Sequence, residues 1–132
     1  MTDLTILGQR AQEAARKLAT STEALRNDAL AAVAAALEQQ AEAIIAENAA
    51  DLAAGRQAGL SEALLDRLTL THERISGIAN SVREVIALPD PLGRVLETIT
   101  RPNGLKIEKI SVPIGVIGVI YEARPNVTAD SA

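Results

Sequence analysis

The sequence contains no cysteine, no tryptophan and no phenylalanine, and its only aromatic residue is Tyr121. The absence of cysteine excludes a disulfide, a thiolate zinc site and a thiol nucleophile from these 132 residues. Hydrophobic residues make up 48% of the chain and aromatic residues 1%, so a core must be built from Ala, Leu, Ile and Val. The length is that of one ordinary domain.

Clusters of positive charge and long apolar runs are also missing. The formal net charge is -4, and no run of Lys or Arg is present that would bind a phosphate backbone through counterion release. The longest apolar runs, 29–37 and 112–121, reach about half of the roughly 20 residues that a membrane-spanning helix needs. We therefore expect neither a nucleic acid partner nor a membrane span.

The first residues lack the features of a targeting sequence. The opening stretch has no apolar signal core, and Asp3 and Glu13 argue against a mitochondrial transit peptide, which is poor in acidic residues. We therefore expect a cytoplasmic location.

Apolar residues at helical spacing cover most of the region before the first proline. Over 3–19 they recur every three or four residues, which predicts an amphipathic helix. Ser21 or Thr22 can cap the next helix. The pattern then continues to Gly59, either as one long helix or as two helices with a break near 39–40.

Turn and cap residues divide the rest of this region. Gly59 stops a helix because it adopts the left-handed cap conformation without steric cost, and Ser61 caps a short helical turn after it. Thr71 opens a clearer helix, which Pro89 ends. The predicted buried face of this helix has residues at i, i+3, i+4, i+7 and i+11: Ile75, Ile78, Ala79, Val82 and Ile86.

The segment that follows is rich in Val, Ile and Thr, which favour strands. We predict an antiparallel hairpin that pairs 94–100 with 105–112 through a two-residue turn at Asn103-Gly104. Two features disagree with a regular hairpin. Pro102 cannot donate a hydrogen bond beside the turn, and the apolar alternation of the second strand changes phase, which predicts a bulge near Glu108-Lys109.

Continuous apolar residues over 114–120 differ from this alternation. A strand that is apolar on both faces is typical of a parallel sheet covered by helices, which indicates an α/β fold class. Parallel strands are joined by crossovers of a dozen or more residues, so we expect the partner strands to lie outside this sequence. Gly115 and Gly118 lie inside the strand, where they either permit close packing or approach a phosphate, although a phosphate loop places its glycines after the strand.

Polar residues follow this strand at the end where open α/β sheets bind ligands. Pro125 excludes Arg124 from a helix, so a helix begins no earlier than Asn126. Asn126 either caps that helix or donates its side-chain amide to a reacting carbonyl oxygen. Arg124 either pairs with Glu122 or binds a substrate carboxylate or phosphate.

His72 is the only histidine and lies at the start of a predicted helix. With no second histidine and no cysteine nearby, a solvated surface residue is favoured over a catalytic base. The acidic residues on the helices have no histidine or cysteine beside them, so we expect no metal site.

Three stretches together resemble one protein family. They are "AENAADLAAGRQAGLSEALLDRLTLTHERI", "ALPDPLGRV" and "TRPNGLKIEKISVPIGVIGVIYEARPNVT", and they resemble, in the same order, the gamma-glutamyl phosphate reductases of the aldehyde dehydrogenase superfamily. The resemblance covers essentially the whole chain, whereas the family's chain is about three times as long. It implies the amino-terminal third of such an enzyme, truncated just after the first strand of a Rossmann-like nucleotide-binding domain.

The implied organisation has three segments. Residues 1–88 form an amino-terminal helical segment, 89–111 a β-hairpin of the oligomerisation element, and 112–132 the first strand and helix start of the nucleotide-binding domain. The expected class is therefore an α/β fragment dominated by helices.

The resemblance implies a two-step reduction of gamma-glutamyl phosphate to glutamate-5-semialdehyde and phosphate in proline biosynthesis. A cysteine thiolate displaces phosphate to form a thioester, which hydride from NADPH then reduces. This chain departs from that pattern because it has no cysteine, and we expect it to be inactive alone. By the same resemblance, Asn126 holds the developing oxyanion, and Ile120, Tyr121 and Glu122 line the nicotinamide side of the cofactor. The contact of Arg124 with a substrate anion is a hypothesis from its position.

Expected partners follow from the same resemblance. They are a small-molecule substrate, further copies of the chain joined through the hairpin, and glutamate 5-kinase through a functional coupling. A different class of function stays open, namely a non-catalytic interaction module made of the helices and the hairpin, since hairpin edges can pair with another sheet.

Overall fold

The computed structural model describes residues 3–122 and 124–131. These residues fall into two compact units. The hairpin unit lies within Met1–Arg26 and Pro89–Gly118, and the helical unit lies within Asn27–Leu88 and Val119–Ala132. The division into three segments stays a prediction.

Helices dominate the described residues. They are α1 (Leu4–Ala19), α2 (Glu23–Gln39), α3 (Ala41–Gln57), α4 (Glu62–Leu68), α5 (His72–Ile86) and α6 (Val127–Asp130). The helices predicted before the first proline are confirmed, and the break near 39–40 separates α2 from α3. In the described part of the chain, no single helix has the length and apolarity to cross a membrane, although α2 and α3 meet both criteria as a pair bent by 66°.

Side-chain caps begin these helices where the sequence indicated. Of the two candidates before α2, Thr22 accepts a hydrogen bond through Oγ1 from the Leu25 amide at 3.2 Å. Ser61 caps α4 and Thr71 caps α5 in the same way, each by accepting from the amide three residues later. Each cap satisfies one free N–H group at a helix start, which is worth about 1 kcal/mol.

Gly59 follows the end of α3 and has a φ of 77°. The Leu60 amide donates to the Gly55 carbonyl oxygen at 3.0 Å, and the Gly59 amide donates to the Arg56 carbonyl oxygen at 3.1 Å. This is the Schellman pattern, which satisfies the last carbonyls of a helix. A Cβ atom at the buried Gly55 would lie 3.0 Å from Leu60 Cδ1 and 3.1 Å from Leu65 Cδ2. The absence of a side chain there lets the chain fold back onto α3.

The core of the helical unit consists of small and branched aliphatic side chains, as the composition required. The buried residues of α5 are Ile75, Ala79 and Val82. Ala34 of α2 and Ala79 of α5 are both 0% exposed and belong to one cluster, against which the partly buried Leu30 and Leu37 pack. Three residues of the predicted inner face of α5 are therefore confirmed as buried, whereas Ile78 and Ile86 are half-buried.

An ion pair joins α2 to α5. Arg83 Nη2 lies 2.5 Å from Glu38 Oε2, and Arg83 Nη1 lies 2.8 Å from Glu38 Oε1. The double hydrogen bond stabilises the carboxylate and holds the pKa of Glu38 below its ordinary value. Both side chains are partly exposed, so solvent weakens the pair.

The hairpin unit contains the two predicted antiparallel strands, β1 (Val95–Thr100) and β2 (Lys106–Ile110). The bulge predicted at Glu108-Lys109 is not there. Val95 pairs with Ile110 while Glu97 pairs with Lys109, so the extra residue is Leu96 on β1. The apolar alternation of β2 did not locate the bulge because every residue of both strands is exposed, so no buried face requires the apolar residues of β2 to stay in phase.

The predicted two-residue turn at Asn103-Gly104 is also wrong. The Gly104 amide donates to the Arg101 carbonyl oxygen, and the Arg101 amide donates to the Leu105 carbonyl oxygen, both at 2.9 Å. The loop therefore has three residues and ends at Gly104, whose φ of 84° suits the left-handed last position of such a loop. Pro102 fits this loop because its fixed φ favours the second position of the turn.

The strand predicted over 114–120 is not confirmed. Among the described residues, the strands are β1 and β2, and 112–121 pair with neither. A parallel strand exists through hydrogen bonds to a neighbouring strand, and the described residues offer none. The apolar side chains are consequently exposed, by 87% at Ile114 and 103% at Ile120. The described fold is helices with a two-stranded sheet, and the Rossmann-like domain stays a prediction.

Candidate active site

The turn that leads into α6 is the candidate site, and it lies in the helical unit. The Val127 amide donates to the Arg124 carbonyl oxygen at 3.1 Å, and the Thr128 amide donates to the Pro125 carbonyl oxygen at 3.3 Å. Helix α6 begins at Val127, which agrees with the prediction that Pro125 delays the helix.

Asn126 precedes α6 but does not cap it through its side chain. Its backbone is helical, with a φ of -62°, whereas a capping asparagine is typically extended. The side-chain Nδ2 instead donates to Asp130 Oδ2 at 2.8 Å. Of the two roles that the sequence left open, side-chain capping is therefore not realised, and the residue is exposed.

Tyr121 is attached to the same turn. Its hydroxyl lies 2.6 Å from the hydroxyl of Thr128, and the residue is 44% exposed. Glu122 and Arg124 are exposed, and the ion pairs among the described residues do not include one between them. The structure thus brings Tyr121 to the Asn126 turn and leaves Ile120, Glu122 and Arg124 at the surface.

An open cavity of about 460 Å³ is lined by the α6 turn and by the region of α4 and α5. Asn126 and Asp130 contribute from α6, and Asp66, Thr69 and Arg74 from the other elements. Arg74 donates to the Thr69 carbonyl oxygen at 2.9 Å and to Asp66 Oδ1 at 2.8 Å. Arg74, one of the two arginines that line this cavity, is therefore engaged by groups of the protein.

A second, mostly apolar cavity of about 360 Å³ lies beside Asn48 and is also lined by Pro125. Asn48 is 4% exposed. Its Nδ2 donates to the Leu68 carbonyl oxygen at 2.9 Å, and its Oδ1 accepts from the Leu70 amide at 2.8 Å. One side chain thus satisfies the carbonyl of the last residue of α4 and one amide of the linker between α4 and α5.

His72 lies away from this turn in the sequence and pairs with a carboxylate. Its Nε2 is 3.0 Å from Glu42 Oε1, and both side chains are largely exposed, which supports the surface interpretation. Within 3–122 and 124–131, no group of three or more His, Cys, Asp or Glu side chains is arranged to hold a metal ion.

Known proteins match this chain over nearly all of its length. The gamma-glutamyl phosphate reductase of Moorella thermoacetica is 58% identical over 125 residues, which cover 95% of this chain and 30% of that protein. The crystal structure of gamma-glutamyl phosphate reductase from Thermotoga maritima matches with a TM-score of 0.95 at 36% identity, over 98% of this chain and 31% of that chain. The crystal structure of gamma-glutamyl phosphate reductase from Saccharomyces cerevisiae matches with a TM-score of 0.91 at 32% identity, over 99% of this chain and 33% of that chain.

The chain is homologous to the amino-terminal third of gamma-glutamyl phosphate reductase.

The resemblance inferred from the three sequence stretches is thereby confirmed. The chain spans about 30% of the length of the curated gamma-glutamyl phosphate reductases that it matches. No protein-family model matches it.

Two polar residues that make side-chain hydrogen bonds in the described part of the chain were not predicted. Asp130 binds Asn126, and the sequence could have indicated this contact because residues at i and i+4 are neighbours on a helix. Asn48 binds the linker, and the sequence could have indicated a buried role because Asn48 is a polar residue on the buried side of α3. The other buried residues of α3 are Ala41 and Gly55.

Proposed function

We propose that the full-length protein carrying this chain converts gamma-glutamyl phosphate to glutamate-5-semialdehyde and phosphate in proline biosynthesis. The main support is 58% identity to a gamma-glutamyl phosphate reductase over 95% of the chain. The alternative, a non-catalytic interaction module, is not favoured, since the matching relatives are named as an enzyme. A cytoplasmic location, association of copies through the exposed hairpin and coupling to glutamate 5-kinase are further parts of the proposal.

In this proposal Asn126 stabilises the negative charge that develops on the carbonyl oxygen of the substrate. Its side chain is exposed, and its Nδ2 is bound to Asp130. An amide nitrogen carries two N–H groups, so a second donor is left for a substrate oxygen. A single donor of this kind lowers the barrier by about 3 kcal/mol, or on the order of 100-fold in rate. The exposed Arg124 contacts an anionic group of the substrate.

The residues at the end of the apolar segment fit the nicotinamide part of a cofactor. Ile120 is fully exposed and Tyr121 is half-exposed, so they offer the apolar surface that ligand sites typically present. NADPH supplies a hydride when it is bound. Ile120, Tyr121 and Glu122 would line its nicotinamide side, and the bond from Tyr121 to Thr128 holds the tyrosine ring at the Asn126 turn.

The reaction also requires a nucleophile that these residues do not contain. The resemblance assigns that role to a cysteine thiolate, and the chain has no cysteine. In the proposal, the thiolate comes from another part of the full-length protein. We therefore expect the 132 residues alone to show no turnover.

The test is an assay of the full-length protein for NADP-dependent, phosphate-requiring oxidation of glutamate-5-semialdehyde, together with its intact mass. A mass about three times that of this chain, with activity, supports the proposal. Asn126→Ala is expected to lower kcat on the order of 100-fold. A folded full-length protein without this activity would refute the proposed function. If kcat of Asn126→Ala were within about twofold of the wild-type value, Asn126 would not belong to the active site.

A further inference from the structure

We propose that Asp130 is a positioning residue that fixes the orientation of the Asn126 side-chain amide, an inference that rests on the oxyanion role proposed for Asn126. The two residues are linked twice. Asn126 Nδ2 donates to Asp130 Oδ2 at 2.8 Å, and the Asp130 backbone amide donates to the Asn126 carbonyl oxygen at 3.0 Å. The backbone bond sets the i, i+4 relation, which keeps the two side chains side by side.

The chemistry of the two side chains makes this contact directional. An asparagine amide has a donor end and an acceptor end of similar shape, whereas an ionised carboxylate only accepts hydrogen bonds. Asp130 therefore binds the Nδ2 end of Asn126 and repels the Oδ1 end. In the reversed orientation, a lone pair of Oδ1 would take the place of the N–H group that meets an oxyanion.

Asp130 has two opposite effects on the oxyanion: its negative charge disfavours the oxyanion, whereas its hydrogen bond orients the Asn126 amide that stabilises it. The relative sizes of these two effects decide the expected change in rate. A carboxylate disfavours a nearby oxyanion, but Asp130 is exposed, so water and salt screen this repulsion. The same screening does not reduce the effect of the orientation of the Asn126 amide. An unrestrained asparagine has three staggered χ1 states and two amide orientations, or about six states, so loss of the carboxylate lowers the productive fraction by up to about sixfold.

Ser131 provides a matched control in the same turn. Its hydroxyl donates to the Val127 carbonyl oxygen at 2.6 Å. Ser131→Ala therefore removes a hydrogen bond from the turn but leaves the Asn126 amide and its acceptor in place. If Asp130 only stabilises the turn, Asp130→Ala and Ser131→Ala should change kcat to a similar extent.

The first measurement tests the contact independently of catalysis. In the full-length protein with ¹⁵N-labelled asparagine, the Asn126 side-chain resonances are identified by their loss in Asn126→Ala. Asp130→Ala is expected to shift one Nδ2 proton upfield, because the proton loses a charged acceptor, and Ser131→Ala is expected to leave it unchanged. Identical Asn126 resonances in the wild type and in Asp130→Ala would overturn the contact.

Steady-state kinetics of the full-length protein test the positioning role. Asp130→Ala is expected to lower kcat about three- to sixfold, with KM for glutamate-5-semialdehyde within about twofold of the wild type. Asp130→Asn keeps an acceptor oxygen and is expected to recover part of the loss. In an Asn126→Ala background, Asp130→Ala is expected to have no further effect, because the amide that it orients is gone.

Two kinetic results would overturn the positioning role: an equal loss of kcat in both backgrounds, or an Asp130→Ala variant no slower than Ser131→Ala. Failure of the proposed function looks different. The wild-type protein would then lack NADP-dependent oxidation while the resonance shift persisted, and the positioning role would be refuted together with the function.

Discussion

Asn48→Ala tests whether one buried amide holds the linker between α4 and α5. The amide binds the Leu68 carbonyl oxygen and the Leu70 amide, and alanine removes both partners. A buried polar group left without a partner costs about 1 to 3 kcal/mol. Leu68 and Leu70 are half-buried, so water recovers part of the loss, and we expect about 2 kcal/mol for the two groups together.

Hydrogen exchange of the Leu70 amide in the full-length protein measures this loss locally. A cost of about 2 kcal/mol corresponds to roughly 30-fold faster exchange when the linker opens by local unfolding. Glu47→Ala is the control, because Glu47 is the exposed neighbour of Asn48 on α3, and it should change the exchange of Leu70 by less than about twofold. Unchanged exchange in Asn48→Ala, or equal acceleration in Glu47→Ala, would refute the reasoning.

Local geometry sets the expected results of three other experiments. Gly104→Ala should lower the free energy of unfolding in urea by about 1 to 2 kcal/mol, because its φ of 84° disfavours a Cβ atom. Gly8 lies inside α1 with no atom near its Cβ position, so Gly8→Ala should raise the free energy of unfolding by up to about 1 kcal/mol. Changes of the same sign in the two glycine variants would contradict this expectation. Since Arg83 lowers the pKa of Glu38, their bond stabilises the fold above the ordinary value of 4.5 and is lost as the pH falls through the lowered pKa. Arg83→Gln should therefore flatten the acid side of the stability curve, and an unchanged slope would count against the bond. In analytical ultracentrifugation the 132-residue chain alone should self-associate through the exposed segment 112–121, whereas a compact monomer would contradict this.

Local signals were sufficient where a residue acts through its own neighbours in the chain. Ser61 and Thr71 were predictable caps, because a cap binds an amide within the next three residues. The hairpin loop shows the limit of such signals. Asn103-Gly104 favours a two-residue turn, but Pro102 suits a position that the three-residue loop provides, and the loop forms around the proline.

Contacts between distant residues gave no comparable signal. Asn48 binds groups that lie 20 and 22 residues later, so its neighbours in the chain do not reveal them. The segment 114–120 presents the opposite case, since its apolar pattern predicts a strand that forms only against a neighbouring strand. Asn126 was identified from its residue type and place in the chain, whereas its bond to Asp130 depends on the helical turn between them.

Ala34 of α2 and Ala79 of α5 lie in one buried cluster, where each presents only a methyl group to its surroundings. Where methyl groups fill the space between two helices, the axes come closer than larger side chains allow. A slide of α2 by one turn, about 5.4 Å, would bring Leu30 or Leu37 to the place of Ala34 and push the helices apart. The two alanines therefore disfavour other axial positions of α2 against α5, the helix against which α6 packs.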